Sequence, residues 1–279
     1  MPDQEHTLAH IAARIADALD RLAPQSVPEP DWDAFPAYVW DGRQARGVST
    51  IDAPDLAHLR GIDQQKLRVT ANVNRLAEGH AAHDMLLWGS RGMGKSALVR
   101  AAVADAQARA PGTLALVQAG AGSLESLPAL FSRIAGKDRR LLVSIDDLGF
   151  GEGDTTGPRL LRSWLEGGVE ARPANVRLAV TSNRRAIQPR HMSEQDDPIN
   201  PRDAADDTLA LADRFGIALG FHQCSKDVYL DIIRGYAEAY GLSFEEDDAM
   251  AWSMQRGARS GRTAWQYVIE LAGRAGRQI

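Results

Sequence analysis

Short apolar runs alternate with stretches of helical periodicity from residue 85 to residue 221. Each run is four or five residues long and nearly free of polar residues, as is typical of strands buried on both faces of a parallel sheet. The alternation predicts an α/β fold in which a parallel five-stranded sheet lies between helices. The predicted strands cover residues 85–88, 114–118, 141–145, 178–181 and 217–221, and the predicted helices cover residues 97–110, 124–134, 158–168 and 203–213.

The pattern changes on both sides of this core. After Gln223 only helical periodicity remains, over residues 226–240, 245–254 and 263–275. Before the core, an amphipathic helix over residues 3–22 precedes an aromatic-rich stretch over residues 32–40, which docks either on the core or on a partner. An extended connector (51–62) and a helix (63–78) follow. We therefore expect three parts: an N-terminal docking segment over residues 1–50, an α/β core over 51–222 and a small all-helical unit over 223–279.

Composition limits the classes of function. The net charge of −5 means that the chain as a whole does not attract nucleic acid. The single cysteine, Cys224, excludes an intrachain disulfide framework and a multi-cysteine metal site. No apolar run approaches the roughly 20 residues that cross a bilayer, and the N-terminus lacks the basic and apolar regions of an export signal. The sequence therefore predicts a cytoplasmic protein that does not enter a membrane.

The most informative motif is G-x-x-x-x-G-K-S, which runs from Gly89 to Ser96 between a predicted strand and a predicted helix. Glycines allow positive φ angles, so successive N–H groups point toward phosphate oxygens, and the following helix adds the positive end of its dipole. In this pattern Lys95 reaches the β- and γ-phosphates of a nucleotide, and Ser96 is a ligand of Mg²⁺. The predicted nucleotide-binding residues of this loop are Gly89, Ser90, Arg91, Gly92, Met93, Gly94, Lys95, Ser96 and Ala97.

Two acids, Asp146 and Asp147, end the predicted strand over residues 141–145. Because the carboxyl ends of parallel strands meet at one edge of the sheet, these acids are expected to lie beside the phosphate loop. We expect Asp146 to hold Mg²⁺ through water, and Asp147 to polarise the water that attacks the γ-phosphorus. Glu152, in the turn that follows, is a competing candidate for this base.

A second polar strand end consists of Thr181, Ser182 and Asn183. A neutral amide beside the γ-phosphate orients water without titrating near neutral pH, so we assign that role to Asn183 and rank Thr181 second.

Two arginines are candidates for stabilising charge on the transferred phosphoryl group. Arg214 precedes the predicted fifth strand and is expected to act on the nucleotide of a neighbouring subunit, or else to pair with a local acid such as Asp213. Arg262 begins the last predicted helix and is expected to reach the γ-phosphate of its own subunit. Arg184 and Arg185, directly after Asn183, are alternatives at an intersubunit edge.

The order of these motifs resembles that of the AAA+ ATPases. More narrowly, the chain is similar to a bacterial family of AAA+ ATP-binding proteins named domain of unknown function 815. The similar stretches are residues 61–66, 86–96, 145–148, 153–154, 165–168, 181–185, 213–216 and 260–263. Gly149 and Gly151 depart from the family, which tends to have a serine and an acid there. The resemblance implies that ATP and Mg²⁺ are bound, that Gly61 and Ile62 border the adenine, and that the helical unit is a lid. It also implies a homo-oligomer in which Arg214 completes the site in trans.

The leading hypothesis is an ATPase that hydrolyses ATP to ADP and phosphate and thereby moves its lid, acting on an unknown macromolecular partner. The alternative is a nucleotide-gated binding module with little turnover, such as a DNA-associated loader. That alternative is motivated by the arginines of the helical unit, although the acidic net charge disfavours nucleic acid. They are Arg256, Arg259, Arg262, Arg274 and Arg277. A nucleotide kinase is disfavoured because no acceptor pocket or closing basic segment is recognisable.

Overall fold

A computed structural model describes residues 14, 29–150, 156–167, 172–183 and 211–279 of the chain. The chain forms two compact units, Met1–Pro30 and Asp31–Ile279, and the second contains all the elements discussed below. The described part of the first unit is Arg14, which is exposed and helical, together with residues 29 and 30. Apart from Arg14, the predicted helix over residues 3–22 lies outside the described residues. So do most of the helix over 203–213, Glu152, Arg184 and Arg185.

The predicted parallel α/β sheet is confirmed, and in the described part of the chain it has seven strands in the order β2-β1-β4-β5-β6-β3-β7. All neighbouring strands are parallel except β1 and β2, which form an antiparallel pair at one edge. The strands are β1 (Ala37–Trp40), β2 (Ala45–Val48), β3 (Met85–Gly89), β4 (Leu114–Ala119), β5 (Arg140–Ile145), β6 (Val176–Ser182) and β7 (Ile217–Phe221).

The sequence pattern did not predict β1 and β2. Each has four residues, and β1 acquires its partners only in the folded chain, where it pairs with β4. The guanidinium of the buried Arg139 holds the segment before β1 by donating to the carbonyls of Trp32 at 2.9 Å and Phe35 at 2.8 Å. The aromatic-rich stretch thus packs on the sheet of its own chain. The domain boundaries at residues 50 and 222 stay predictions.

The helices agree with the predicted ones to within a few residues. They are α1 (Asp63–Ala77), α2 (Lys95–Arg109), α3 (Leu127–Ile134), α4 (Thr156–Glu166), α5 (Lys226–Tyr240), α6 (Glu246–Gln255) and α7 (Gly261–Arg274). The predicted helix over residues 124–134 begins as the 3₁₀ turn Ala121–Ser126 and becomes α-helical at Leu127, directly before Pro128. A further 3₁₀ turn, Leu56–His58, lies in the connector.

Alternate residues of the strands pack into two hydrophobic clusters, one on each face of the sheet. On β3, Met85 and Leu87 belong to one cluster and Leu86 to the other, as expected for a strand covered on both faces. The first cluster contains residues of α1 and α2 and continues into α5, α6 and α7, whereas the second contains residues of α3, α4 and β1. The α/β core and the C-terminal helices therefore share one hydrophobic cluster.

This topology brings the sequence-predicted polar residues to one edge of the sheet. The strands β5, β6 and β3 are adjacent and parallel, so their carboxyl ends lie side by side. The chain reaches β4 and β5 on one side of β3 and returns to β7 on the other side, which creates a crevice at the carboxyl end of β3. Among the described helices, none is both long and apolar enough to span a lipid bilayer.

Candidate functional site

The loop after β3 has the backbone that its glycines predict. Gly89, Gly92 and Gly94 have φ angles of 123°, 75° and 87°, which residues with a side chain rarely adopt. At Gly89 space also requires glycine, because a Cβ atom would lie 2.1 Å from the carbonyl oxygen of Phe221 in β7. The loop then enters α2 at Lys95, so the N-terminus of that helix faces the crevice. This backbone is a cradle for an anion.

Lys95 is buried at the centre of this cradle, with 7% of its surface exposed. Its Nζ donates to the carbonyl oxygens of Gly89 at 2.8 Å and Ser90 at 2.9 Å, and to Oδ1 of Asn183 at 3.3 Å. Burial lowers the pKa of the Lys95 ammonium, the carboxylate of Asp147 opposes this, and Arg262 and Arg91 add to the lowering. The ammonium is thus held in a desolvated place where a phosphate is a favourable partner.

The polar ends of β5 and β6 meet next to Lys95. Thr181 Oγ1 accepts a hydrogen bond from the Asp147 N–H at 2.9 Å and donates to Oδ1 of Asp146 at 3.3 Å. The amide of Asn183 donates to Oδ1 of Asp147. Asp147 has a φ of 54°, and among the described residues other than glycine it is the one with positive φ. The structure therefore brings both predicted acids and both predicted polar side chains together at the phosphate loop.

The N-terminus of α7 packs against the phosphate loop. The Arg262 N–H donates to the carbonyl oxygen of Gly92 at 3.0 Å, and a Cβ atom at Gly92 would lie 3.0 Å from the Cβ of Arg262. Ser260 caps this helix, since its Oγ accepts from the N–H of Thr263 at 3.2 Å. Arg262 thus lies at the phosphate loop of its own chain, where the sequence predicted it.

A cleft of about 1040 Å³ joins these residues to the connector before α1 and to the lid helices. Ile62 lines it and is buried, as expected of a residue that borders a base. Gly61 is not among the lining residues; a Cβ atom there would lie 2.3 Å from Cγ1 of Val228 in α5, so Gly61 permits close packing of the lid. Ser96, Ala97, Asp146 and Asp147 also line the cleft.

Residues 33–275 match a protein family described as "Protein of unknown function (DUF815)". The chain belongs to this family. Solved structures with a similar fold include the Thermotoga maritima RuvB Holliday junction branch migration motor and the Aeropyrum pernix Orc1 protein in complex with DNA. This DUF815 chain therefore shares its α/β fold with these two structures.

Both likenesses are distant. The RuvB structure has 15% sequence identity and a TM-score of 0.51, with 80% of this chain and 66% of that chain covered. The Orc1 structure has 15% identity and a TM-score of 0.52, with 79% and 65% covered. The DUF815 chain therefore spans less than two thirds of the length of either protein. No match was found among the curated proteins compared with the chain.

An aromatic wall on the lid side of the cleft was missed by the sequence analysis of this DUF815 chain. It consists of His58, Tyr236, Tyr240 and Trp265. The ring centroids of Tyr236 and Trp265 are 4.8 Å apart, and those of His58 and Tyr236 are 5.0 Å apart. The lining residues Ile232, Tyr236 and Tyr240 follow one another at intervals of four along α5. This spacing in the sequence indicates that the three side chains lie on one face of the helix, but it does not indicate what that face contacts.

Arg60 also lies in the cleft and connects the connector to α5. Its guanidinium donates to Oδ1 of Asp231 at 3.0 Å and to Oε2 of Glu238 at 3.3 Å. It crosses the helix at Gly235, where a Cβ atom would lie 2.4 Å from Nε of Arg60. Glycine is unfavourable inside a helix. At position 235 it leaves the space that the side chain of Arg60 occupies.

Arg214 is placed apart from these residues. It does not line the cleft, and its Nε pairs with Oε1 of Glu166 at the end of α4, an acid that is distant in the sequence. Arg214 therefore lies outside the cleft that contains the phosphate loop of its own chain.

Several lid arginines that motivated the DNA hypothesis make contacts within the chain. Arg256 stacks 3.3 Å from the ring centroid of Trp252. Arg274 pairs with Asp248 and Glu270. Arg277 donates to the carbonyl oxygens of Tyr240 and Gly241 at the end of α5. These guanidiniums have partners within the helical unit, which weakens the case for a phosphate-backbone surface.

The oxygen donors in the cleft fit a magnesium ion that takes one or two ligands from the protein and the others from a nucleotide and water. Among the described residues, no group of three or more histidines, cysteines or acids is placed to hold a metal ion by itself. The Ser96 hydroxyl and the Asp146 carboxylate are both in the cleft. Mg²⁺ commonly binds one or two protein oxygens and completes its octahedron with water and phosphate. Ser96 and Asp146 are the residues that would hold it here.

Removing the cap of α7 gives a stability prediction. Ser260→Ala is expected to lower the free energy of unfolding by about 1 kcal/mol, because the buried N–H of Thr263 loses its acceptor. Urea denaturation followed by circular dichroism measures this change. Ser243→Ala, at an exposed position between α5 and α6, is the control and is expected to change stability by less than about 0.5 kcal/mol. Equal effects of the two substitutions would contradict a capping role.

Proposed function

We propose that the protein is a magnesium-dependent ATPase that converts ATP and water to ADP and phosphate. The observation that carries the proposal is the hydrogen-bonded series from Lys95 to Asn183 to Asp147, which starts in the phosphate loop and ends on a carboxylate. A phosphate-binding loop by itself indicates only that a nucleotide is bound. An amide that contacts both the phosphate-binding lysine and a carboxylate is an arrangement suited to positioning and deprotonating water.

Each residue has a defined part in this reaction. The loop N–H groups and Lys95 bind the β- and γ-phosphates, Asn183 orients the attacking water, and Asp147 accepts its proton. The water oxygen bonds to the γ-phosphorus as the bond from that phosphorus to the bridging oxygen breaks, which releases ADP. Ser96 and Asp146 would hold Mg²⁺, which would neutralise part of the phosphate charge. Arg262 adds a positive charge from the lid.

The base is expected to stack on the aromatic wall, in the cleft that Ile62 also lines. The wall residues of α5 and α7 belong to the lid, as does Arg262, whereas His58 belongs to the connector. Nucleotide contacts at both ends of the cleft therefore tie the lid to the phosphate loop. Loss of the γ-phosphate then removes the contact that Arg262 of the lid makes with it. We propose that this change is transmitted to a macromolecular partner of unknown identity, in a homo-oligomer of this chain.

The test is phosphate release by the purified chain, measured together with particle mass at micromolar concentration with and without ATP. We expect Mg²⁺-dependent release that disappears on chelation of the metal, and a larger particle when ATP is present. Binding of ATP without release over many hours would instead support the nucleotide-gated module. No binding of ATP at all would contradict both.

Arg214 gives a prediction for the assembled protein. Arg214→Ala is expected to lower turnover by at least about ten-fold, because we propose that this side chain, which does not line the cleft of its own chain, acts on the nucleotide of a neighbouring subunit. Phosphate release from the oligomer measures the change, and Arg75→Ala, at an exposed position in α1, is the control.

A mixing experiment separates action in trans from action in cis. Oligomers formed from Arg214→Ala and Asp147→Asn chains contain some interfaces with an intact Asp147 and an intact neighbouring Arg214. Turnover by the mixture above that of either variant alone is the expected result. No gain on mixing, in oligomers verified to contain both chains, would show that Arg214 does not act across the interface.

A further inference from the structure

The side chain of Arg91 occupies an unexpected place for a residue of the phosphate loop. The motif requires only the backbone N–H at this position, since the side chain is unspecified. The guanidinium of Arg91 nevertheless lines the cleft, and its Nη2 lies 3.8 Å from Oδ2 of Asp147. Both side chains are largely exposed, at 75% and 64%. A cation of the loop thus faces the carboxylate that is expected to accept the proton of water.

Arg91 completes a polar series across the mouth of the loop. From the buried end, Lys95 donates to Asn183, Asn183 donates to one oxygen of Asp147, and the other oxygen of Asp147 faces Arg91. The series therefore begins at the Lys95 ammonium and ends at the Arg91 guanidinium, both in the phosphate loop. One carboxylate oxygen of Asp147 contacts Asn183 and the other faces Arg91. A γ-phosphate bound by Lys95 would lie beside this series and would compete with Asp147 for the terminal guanidinium.

Because of its greater charge, the phosphate is a stronger partner for the Arg91 guanidinium than the Asp147 carboxylate is. An exposed pair at 3.8 Å is weak because water screens it, and holding the long arginine side chain in place costs conformational entropy. A terminal phosphate carries more charge and offers oxygens to two parallel N–H groups of a guanidinium. The backbone of Arg91 lies between Gly89 and Gly92, whose left-handed conformations fix the course of the loop. Only the side chain has to move.

We propose that Arg91 is a ligand of the γ-phosphate within its own subunit and leaves Asp147 when a nucleoside triphosphate binds. This inference rests on the proposed function. With a diphosphate in the cleft, Arg91 stays at Asp147 and one carboxylate oxygen remains engaged. With a triphosphate, that oxygen is released to accept the proton of the attacking water. Arg91 thereby discriminates ATP from ADP, in addition to the contact expected from Arg262.

The test compares the binding of two nucleotides, so it does not depend on turnover. Calorimetry in the presence of Mg²⁺ measures the affinity for ADP and for an ATP analogue with a β,γ-imido bridge, using the full chain. Arg91→Ala is expected to weaken binding of the analogue by at least about ten-fold and to change ADP binding by less than about two-fold. Arg91→Lys is expected to lie between the wild type and Arg91→Ala, because an ammonium keeps the charge and loses the parallel donors.

The control is Arg68→Ala, which removes an exposed arginine of α1 outside the cleft and is expected to leave both affinities unchanged. Equal losses for ADP and the analogue would overturn the inference, since they would reflect damage to the loop or a general charge effect. Unchanged affinity of Arg91→Ala for the analogue would also overturn it while leaving the proposed function intact. Failure of the wild type to bind either nucleotide would overturn both.

Discussion

Lys95→Ala is expected to weaken ATP binding by at least about 100-fold, because two or more charge-assisted hydrogen bonds to phosphate are lost in a desolvated site. The Lys95 ammonium is buried and its pKa is lowered, mainly by that burial. Its donors reach carbonyl oxygens of its own loop and the amide oxygen of Asn183. Isothermal calorimetry with ATP and Mg²⁺ measures the loss of affinity.

The control for this substitution is Lys137→Ala, which removes an exposed lysine between α3 and β5 and is expected to leave the affinity unchanged. Thermal unfolding of Lys95→Ala shows whether the fold persists, so that a lost site is not confused with a lost structure. If folded Lys95→Ala binds ATP as tightly as the wild type, the loop is not the nucleotide site and the proposed function is wrong.

Asp147→Asn is expected to lower the rate of phosphate release by roughly 10²- to 10⁴-fold and to leave ATP affinity within a few-fold of the wild type. The substitution removes the proton acceptor but keeps a side chain of the same size, and the contact of Asp147 Oδ1 with Asn183 remains available. Single-turnover phosphate release together with calorimetry separates the two effects.

Hydrolysis by Asp147→Asn at the parental rate would assign the base elsewhere, and Glu152→Gln would then be tested in the same way. Glu152 lies outside the described residues, so the hydrogen bonds and distances around the loop bear on Asp147 alone. Asp138→Asn, at an exposed position between α3 and β5 and outside the cleft, serves as the matched control for loss of one aspartate charge.

The parallel core was predictable because its signal is local. Each of β3 to β7 is a run of apolar residues bounded by polar or turn-forming ones, and burial on both faces requires that composition. The helices between them follow from their 3.6-residue period. By contrast, β1 is recognisable only through its pairing with β4 and the donation from Arg139 to the carbonyls of Trp32 and Phe35. Those partners are far away in the sequence, and no local pattern specifies them.

The same distinction holds at the candidate site. The phosphate loop and the polar ends of β5 and β6 have characteristic residue orders, and these orders alone predict that Lys95, Asp147 and Asn183 lie near one another. No such residue order indicates the aromatic wall or the contact of Arg60 with Gly235. Each brings together residues of the connector and the lid that are more than 150 positions apart in the sequence. Their residues come together only in the folded chain, where they line one cleft.

By itself, the sequence determined that this protein has a parallel sheet with a glycine-rich loop after one of its strands, and which acids and amide lie at the same edge of that sheet. It did so because strand burial and loop conformation depend on residues that are neighbours along the chain. The tertiary structure decided that β1 and β2 extend the sheet, that Arg214 faces Glu166, and that Arg91 faces Asp147. Those contacts depend on how separate elements pack, and the energy of packing is shared among residues that sequence order does not bring together.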